Sequence, residues 1–380
     1  MSLFTPSTEQ AALVVGGREF AGWTQLTITA SLEDAARAFT VEAAAKNATD
    51  VHLLDLRPGS AVEVYAGRDL VITGYIDKFD VSHDSKSHKV RVSGRSKTGD
   101  LVDCSAIHKP KQWRSKTADT IATDLASDYD VDVYADPSID WSKKIARFAL
   151  QDGETVISAL QRLGQLRSFM VTDDPAGRCV LTGPKTDASS DVDLVVGKNV
   201  ISGSASVDVS GRFTEYRCKS VRLGDDNDYG EALQSDESVV DSEDLGRSRV
   251  LVIRPESGEG AARCRDRATW EAATRDGQSI SLTYTVQGWR QTPGGRLWSP
   301  NELIGVEDNL AGVDGDFLII DVDFTLSDSG TLTKLSLAPP EGYELLPPMQ
   351  KRRRGGKRRK RASSPFDALR DGVNISGGRK

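Results

Sequence analysis

Apolar and polar side chains alternate along much of this chain, the two-residue period of strands with one buried face. The pattern is clearest in residues 71–95. Residues 71–79 (VITGYIDKF) mix β-branched and aromatic side chains, residues 83–87 form a polar turn, and residues 89–95 (KVRVSGR) alternate on the way back. This predicts a β-hairpin with one wet face. The plan recurs near the other end, where residues 317–326 (FLIIDVDFTL) lead through the turn 327–330 into residues 331–337 (TLTKLSL). Each hairpin follows a strand that opens on proline, at 58–65 and at 300–306. Two related β modules separated by an insert are expected.

The remaining periodicities fill in the order of elements. Residues 13–15 and 18–20, joined by Gly16 and Gly17, read as a hairpin, and residues 23–30 and 39–43 as further strands. With the 71–95 hairpin, residues 1–106 predict a first small antiparallel β-barrel. The period then lengthens: after Thr117 as a cap, Ala118, Ile121, Ala122 and Leu125 share one helical face. A short strand at 131–134, a helix opening at Asp152 or Gly153 with Val156, Leu160 and Leu163 inward, and a hairpin over 168–181 complete an α+β insert at 107–190. Residues 191–240 are read as return strands, notably 214–221, that complete the first barrel, with an exposed acidic loop over 224–244. Residues 241–290 predict a small α+β domain: a strand at 250–253, a helix at 258–275 stopped by Gly277, and a strand at 279–289. Residues 291–345 predict a second β-barrel and 346–380 a tail. The fold class is α+β, mainly antiparallel β, with two similar small β-barrels and inserted α+β domains.

Charge changes this picture at one end. Residues 346–380 hold twelve Lys or Arg against Asp367 and Asp371, so the tail carries +10 and the other 345 residues −17 of the chain's −7. Nine cations, Lys351, Arg352, Arg353, Arg354, Lys357, Arg358, Arg359, Lys360 and Arg361, fall within eleven residues. Self-repulsion predicts disorder there until an anionic partner binds, either nucleic acid or an acidic protein surface.

Candidate chemistry adds little. Cys104, Cys179, Cys218 and Cys264 lie far apart without CxxC spacing and read as reduced thiols of a protein made in the cytoplasm. No apolar run approaches the roughly 20 residues of a membrane-spanning helix. His52, His83, His88 and His108 make no metal pattern, and residues 225–228 lack the register of a calcium loop. Residues 94–99 hold glycines and a Lys-Thr pair but not in phosphate-loop order, and read as a turn at a barrel rim. There is no GxSxG elbow, and no cofactor, metal or small-molecule substrate is expected. Trp289 and Trp298 flank a Pro-Gly-Gly turn as either core anchors or an interface.

Five uncommon segments occur in a telling order: GRSKTGDLVDCSA (94–106), GWRQ (288–291), LWSPN (297–301), LIIDVDF (318–324) and GTLTKLSL (330–337). Through them, most of residues 13–348 resembles the Mu-like tail protein P family. That family comprises baseplate hubs of contractile-tailed phages, related to the late control protein D group and to the hub half of type VI secretion spikes. The resemblance implies a non-enzymatic virion structural protein that assembles in the host cytoplasm and resides in the tail baseplate. It further implies a homotrimer whose six barrels make a pseudo-sixfold ring, joining the sixfold tail tube to the threefold central spike that punctures the host cell, beside baseplate wedge proteins. On the matched motifs, Gly94, Arg95, Lys97, Asp100 and Asp103 at the rim, and Trp289, Arg290, Trp298 and Asn301 at the second turn, become interface candidates. The family suggests no role for the basic tail, which leaves DNA, the tape-measure protein or acidic neighbours as its contacts. A wall-degrading enzyme is the rival reading. It would need an acid and nucleophile among the insert's carboxylates, where Asp119, Asp124, Asp128, Asp132 and Glu154 read instead as helix-face and cap residues.

Overall fold

The computed structural model describes residues 10–44, 56–83, 88–185, 189–219, 237–241, 245–253, 261–328 and 330–343. The expected polar turn, most of the acidic loop and the basic tail lie outside these residues. The chain divides into two compact units. The first comprises the described residues of Met1–Gly203, Thr283–Ile304 and Leu318–Leu337, and the second those of Ser204–Leu282, Gly305–Phe317 and Ala338–Lys380.

In the first unit, Ala11–Val15 and Arg18–Phe20 form the expected hairpin, with Gly16 and Gly17 at φ 57° and 77°, values that a tight two-residue turn needs and glycine supplies. The hairpin lies at one end of a long antiparallel sheet whose order continues through Ala61–Ala66, Asp69–His83, His88–Ser96, Ala38–Ala44 and Gln25–Ser31 to Val313–Ser327, Gly330–Ala338 and Ile280–Gln287. Alternation decides which face is inward. Leu26, Ile28 and Ala30 of one strand, and Val62, Val64 and Ala66 of another, are buried, while residues between them are more open.

The repeat expected from the sequence is visible in strand lengths. Ala61–Ala66, Asp69–His83 and His88–Ser96 have 6, 15 and 9 residues, and Leu303–Asp308, Val313–Ser327 and Gly330–Ala338 have 6, 15 and 9. The two expected closed barrels are not seen: among the described residues no strand pairing closes the sheet on itself. Instead Val313–Ser327 joins Gln25–Ser31, with Asp321 opposite Ser31 and Leu326 opposite Leu26. Side chains reinforce the register, since Ser31 Oγ donates to Asp321 at 2.6 Å and Thr29 Oγ1 to Asp323 at 2.8 Å. The two modules therefore share one sheet.

The insert packs two helices on small sheets. Ala118–Ser127 buries Ile121, Ala122 and Leu125 as predicted, although the Thr117 hydroxyl meets Thr120 rather than capping a backbone N–H. The second helix starts later than expected, at Val156–Arg167, because Thr155 accepts the Ser158 N–H at its N-cap. Two strands escaped the sequence reading, Gln112–Thr117 and Lys144–Ala149, which pair antiparallel and bring Trp113 beside Phe148 in the helical core. The hairpin Met170–Asp173 with Cys179–Thr182 is as expected.

That hairpin is also what fastens the insert to the sheet. The Asp173 side chain, 1% exposed, accepts the Arg37 backbone N–H at 2.9 Å, Arg37 Nε at 3.1 Å and Ser96 Oγ at 2.6 Å. Burial pushes its carboxyl above the usual range, and Arg37 and Ser96 pull against that shift. Around it Thr172 Oγ1 donates to the Ser31 carbonyl at 2.9 Å and Thr73 Oγ1 to that of Pro175 at 3.0 Å.

The second unit contains a correction. Glu215–Lys219, expected to complete the first barrel, lies in a three-stranded sheet of its own, antiparallel to Glu237–Asp241 and parallel to Val250–Ile253. Glu237–Asp241 itself had been read as part of the acidic loop. The helix Ala261–Gln278 covers this sheet, and its Cys264, Ala268 and Ala272, one turn apart, meet Tyr216 and Cys218, which alternate inward from the strand.

Candidate functional site

The rim segment is built by one strand, one bulge and one short helix. Gly74 and Gly94 let Asp69–His83 and His88–Ser96 approach closely: a Cβ at Gly94 would lie 2.1 Å from the Tyr75 carbonyl oxygen. Beyond that point the register steps from Ile76 opposite Gly94 to Lys78 opposite Ser93, so Asp77 is an extra residue. A bulge redirects its side chain toward the neighbouring strand. The helix Gly99–Asp103 follows at once, contrary to the expected bare turn.

These elements converge on Arg95. Its Nε donates to Asp77 at 2.8 Å, while Nη1 and Nη2 donate to the two oxygens of Asp103 at 3.1 and 2.6 Å. The fork-to-carboxylate match fixes the guanidinium plane. Hydrogen bonds to Asp103 and then Asp77 raise Arg95 further above its ordinary value, and Arg95 holds Asp103 below the usual carboxylate range. Beside this pair lies a cleft of about 310 Å³ lined by Gly59, Tyr75, Ile76, Asp77, Arg95, Ser96, Gly99 and Asp100. Asp77, Asp100 and Asp103 set three carboxylates against the Arg95 guanidinium and the Lys97 ammonium. Such an arrangement offers charged and polar contacts to a neighbour.

The nine interface candidates do not form one site. Arg95 and Asp100 line the cleft and Asp103 anchors Arg95, while Gly94 is buried between strands and Lys97 lies half-buried beside Gly177. The second group is mostly internal. Trp289 is 1% exposed, donates Nε1 to the Thr325 carbonyl at 3.0 Å and packs edge-on against Phe324. Trp298 is buried too. Asn301, in left-handed conformation at φ 67°, accepts from Lys185 N–H and donates to the Gly183 carbonyl, both at 2.9 Å. Arg290 is tied to Asp69 at 2.6 Å. Trp289, Trp298 and Asn301 are core and turn residues within the chain, the core-anchor alternative for the two tryptophans. The sequence reading had missed Asp77, Tyr75 and Gly59. The alternation of residues 71–79 placed Asp77 on a strand but could not reveal the bulge.

Three of the five insert carboxylates weighed for catalysis are engaged in structural bonds. Asp124 accepts from Trp113 Nε1 at 2.8 Å, Asp128 lies 3.1 Å from His108, and Glu154 accepts from Arg162 at 2.8 Å. Among the described residues no group of three or more His, Cys, Asp or Glu could hold a metal ion.

Comparison with known proteins places this geometry. Three family models match in chain order: the N-terminal domain of Mu phage baseplate assembly protein GpP-like proteins at residues 10–96, the second domain of baseplate hub protein gp44-like proteins at 98–183, and the fourth domain of GpP at 260–346. Baseplate hub protein gp44 of Escherichia phage Mu is 33% identical over 335 residues, spanning 86% of this chain and 87% of gp44. The chain belongs to the Mu baseplate hub family. A crystal structure of the prophage MuSo2 43 kDa tail protein from Shewanella oneidensis, also a similar protein, matches at TM-score 0.78 and 30% identity over 89% of this chain and 100% of that one. The tail protein from Neisseria meningitidis MC58 shares the fold at TM-score 0.76 and 23% identity, over 88% and 97% of the two chains. As a member of the Mu baseplate hub family, the chain is a structural component of the baseplate hub of a phage tail, and the relatives are named for structural roles.

Proposed function

We propose that three copies of this chain form a ring in a contractile-tail baseplate, with the sixfold tail tube on one side and the threefold central spike on the other, beside the wedge proteins. The observation that carries this reading is the repeated strand plan of 6, 15 and 9 residues. Two similar modules per chain, taken three times, present six similar surfaces, which is what joining sixfold and threefold partners requires. In this reading the cleft around Arg95 receives a basic side chain of a neighbouring copy, and the chain assembles in the host cytoplasm. The basic segment at 351–361 contacts DNA or another acidic surface of the particle.

Light scattering on the purified chain tests the ring. The expected molar mass is near three times 41.1 kDa, with six similar lobes in class averages. Asp100→Lys, which sets a cation in the cleft against the incoming one, should shift the mass toward 41.1 kDa while leaving the circular dichroism spectrum unchanged. A dimer, or a monomer at every accessible concentration, would overturn the ring.

A further inference from the structure

The two cysteines of the second unit face each other across its core. Cys218 lies on the strand Glu215–Lys219 and Cys264 on the helix Ala261–Gln278, and both side chains are fully buried. Their sulfurs are in direct contact at 2.6 Å. The placement follows from two periodicities: Tyr216 and Cys218 alternate inward, while Cys264, Ala268 and Ala272 recur every four residues on the helix face turned to the sheet. Among the described residues no third His, Cys, Asp or Glu joins the pair as a metal ligand.

We propose that Cys218 and Cys264 are a disulfide site, reduced when the chain folds and oxidised once the particle leaves the host cell. The inference rests on the chain being a virion component, not on the trimeric ring. Disulfides persist on virions and in other extracellular settings, whereas cytoplasmic thiols are kept reduced. The oxidant class is a small disulfide such as oxidised glutathione. The Cys218–Cys264 bond forms, the oxidant's S–S bond breaks, and the two thiol protons and two electrons end on two glutathione thiols.

The bond would matter most where it lies. Among the described residues, the core joining this helix to its sheet has four buried members, Tyr216, Cys218, Cys264 and Ala268, against eighteen in the insert. A link across a small core joins positions 46 apart in sequence and restricts the unfolded chain. Burial, with Cys264 alongside, pushes the Cys218 thiol up to about 12, so exchange is slow at neutral pH and quickens as pH rises.

The test uses the full chain, incubated with oxidised glutathione, quenched, denatured, labelled with N-ethylmaleimide and mapped by mass spectrometry. A linked peptide pair carrying Cys218 and Cys264 is expected, with label on Cys104 and Cys179 only and the link lost on reduction. Label on all four cysteines, glutathione adducts retained on Cys218 and Cys264, or linkage to other partners would overturn the proposal. Oxidation should also raise the unfolding midpoint of the second unit by roughly 5 °C or more, a shift that Cys264→Ser abolishes. Because the map is read on the unaltered chain, a variant that fails to fold leaves the test intact.

Discussion

Arg95 and its two carboxylates put the clearest local chemistry of this hub on an exposed rim, where such pairs add little to stability. Its worth lies in geometry, since a guanidinium clamped on two sides presents a fixed charge pattern to a neighbour. Arg95 keeps Asp103 ionised to lower pH than its ordinary value of 3.8. A depressed carboxylate contributes stability that is present above its unfolded value and lost as pH falls through its folded one. The Asp103 side-chain NMR signal should therefore titrate with a midpoint below 3.8, returning near that value in Arg95→Ala. An unchanged midpoint would mean that the fork does not form in solution. Arg95 and Asp103 were legible in the GRSKTGDLVDCSA segment. Asp77 was not, because a bulge exists only relative to the strand it faces.

At the scale of elements, caps and seams decide what periodicity leaves open. Helical spacing placed Val156, Leu160 and Leu163 on one face correctly, but the helix begins where Thr155 accepts the Ser158 N–H. Thr155→Ala should cost about 1 kcal/mol in urea unfolding. The seam between insert and sheet is more sensitive. Asp173→Ala removes the buried acceptor of Arg37, Ser96 and the Arg37 backbone N–H, and a buried cation without its carboxylate costs about 3 to 5 kcal/mol. Hydrogen exchange should show faster opening of Met170–Asp173 and of the backbone around Arg37, with Ala118–Ser127 little changed. Equal loss of protection throughout the unit would indicate global unfolding instead. Strands Gln112–Thr117 and Lys144–Ala149 were missed because their charged residues break the alternation.

For the whole molecule, charge separation adds one further expectation. If the nine cations at 351–361 bind DNA, the affinity of the full chain should fall steeply with salt, with a log–log slope of about −8 at most, and deletion of residues 350–380 should abolish the binding. Undiminished binding by the truncated chain would reject the tail as the contact. The sequence by itself determined the hairpins, the helical faces, the repeated module, the family and the basic end, because each is written in neighbouring residues or in motifs. Only the tertiary structure decided that Gln25–Ser31 pairs with Val313–Ser327 to make one shared sheet, that Glu215–Lys219 belongs to a separate sheet, and that Trp289 and Trp298 face inward. A strand's alternation says which face is apolar but not which edge it will meet. Ser31 and Asp321 are 290 residues apart, and nothing in the local pattern of either names the other.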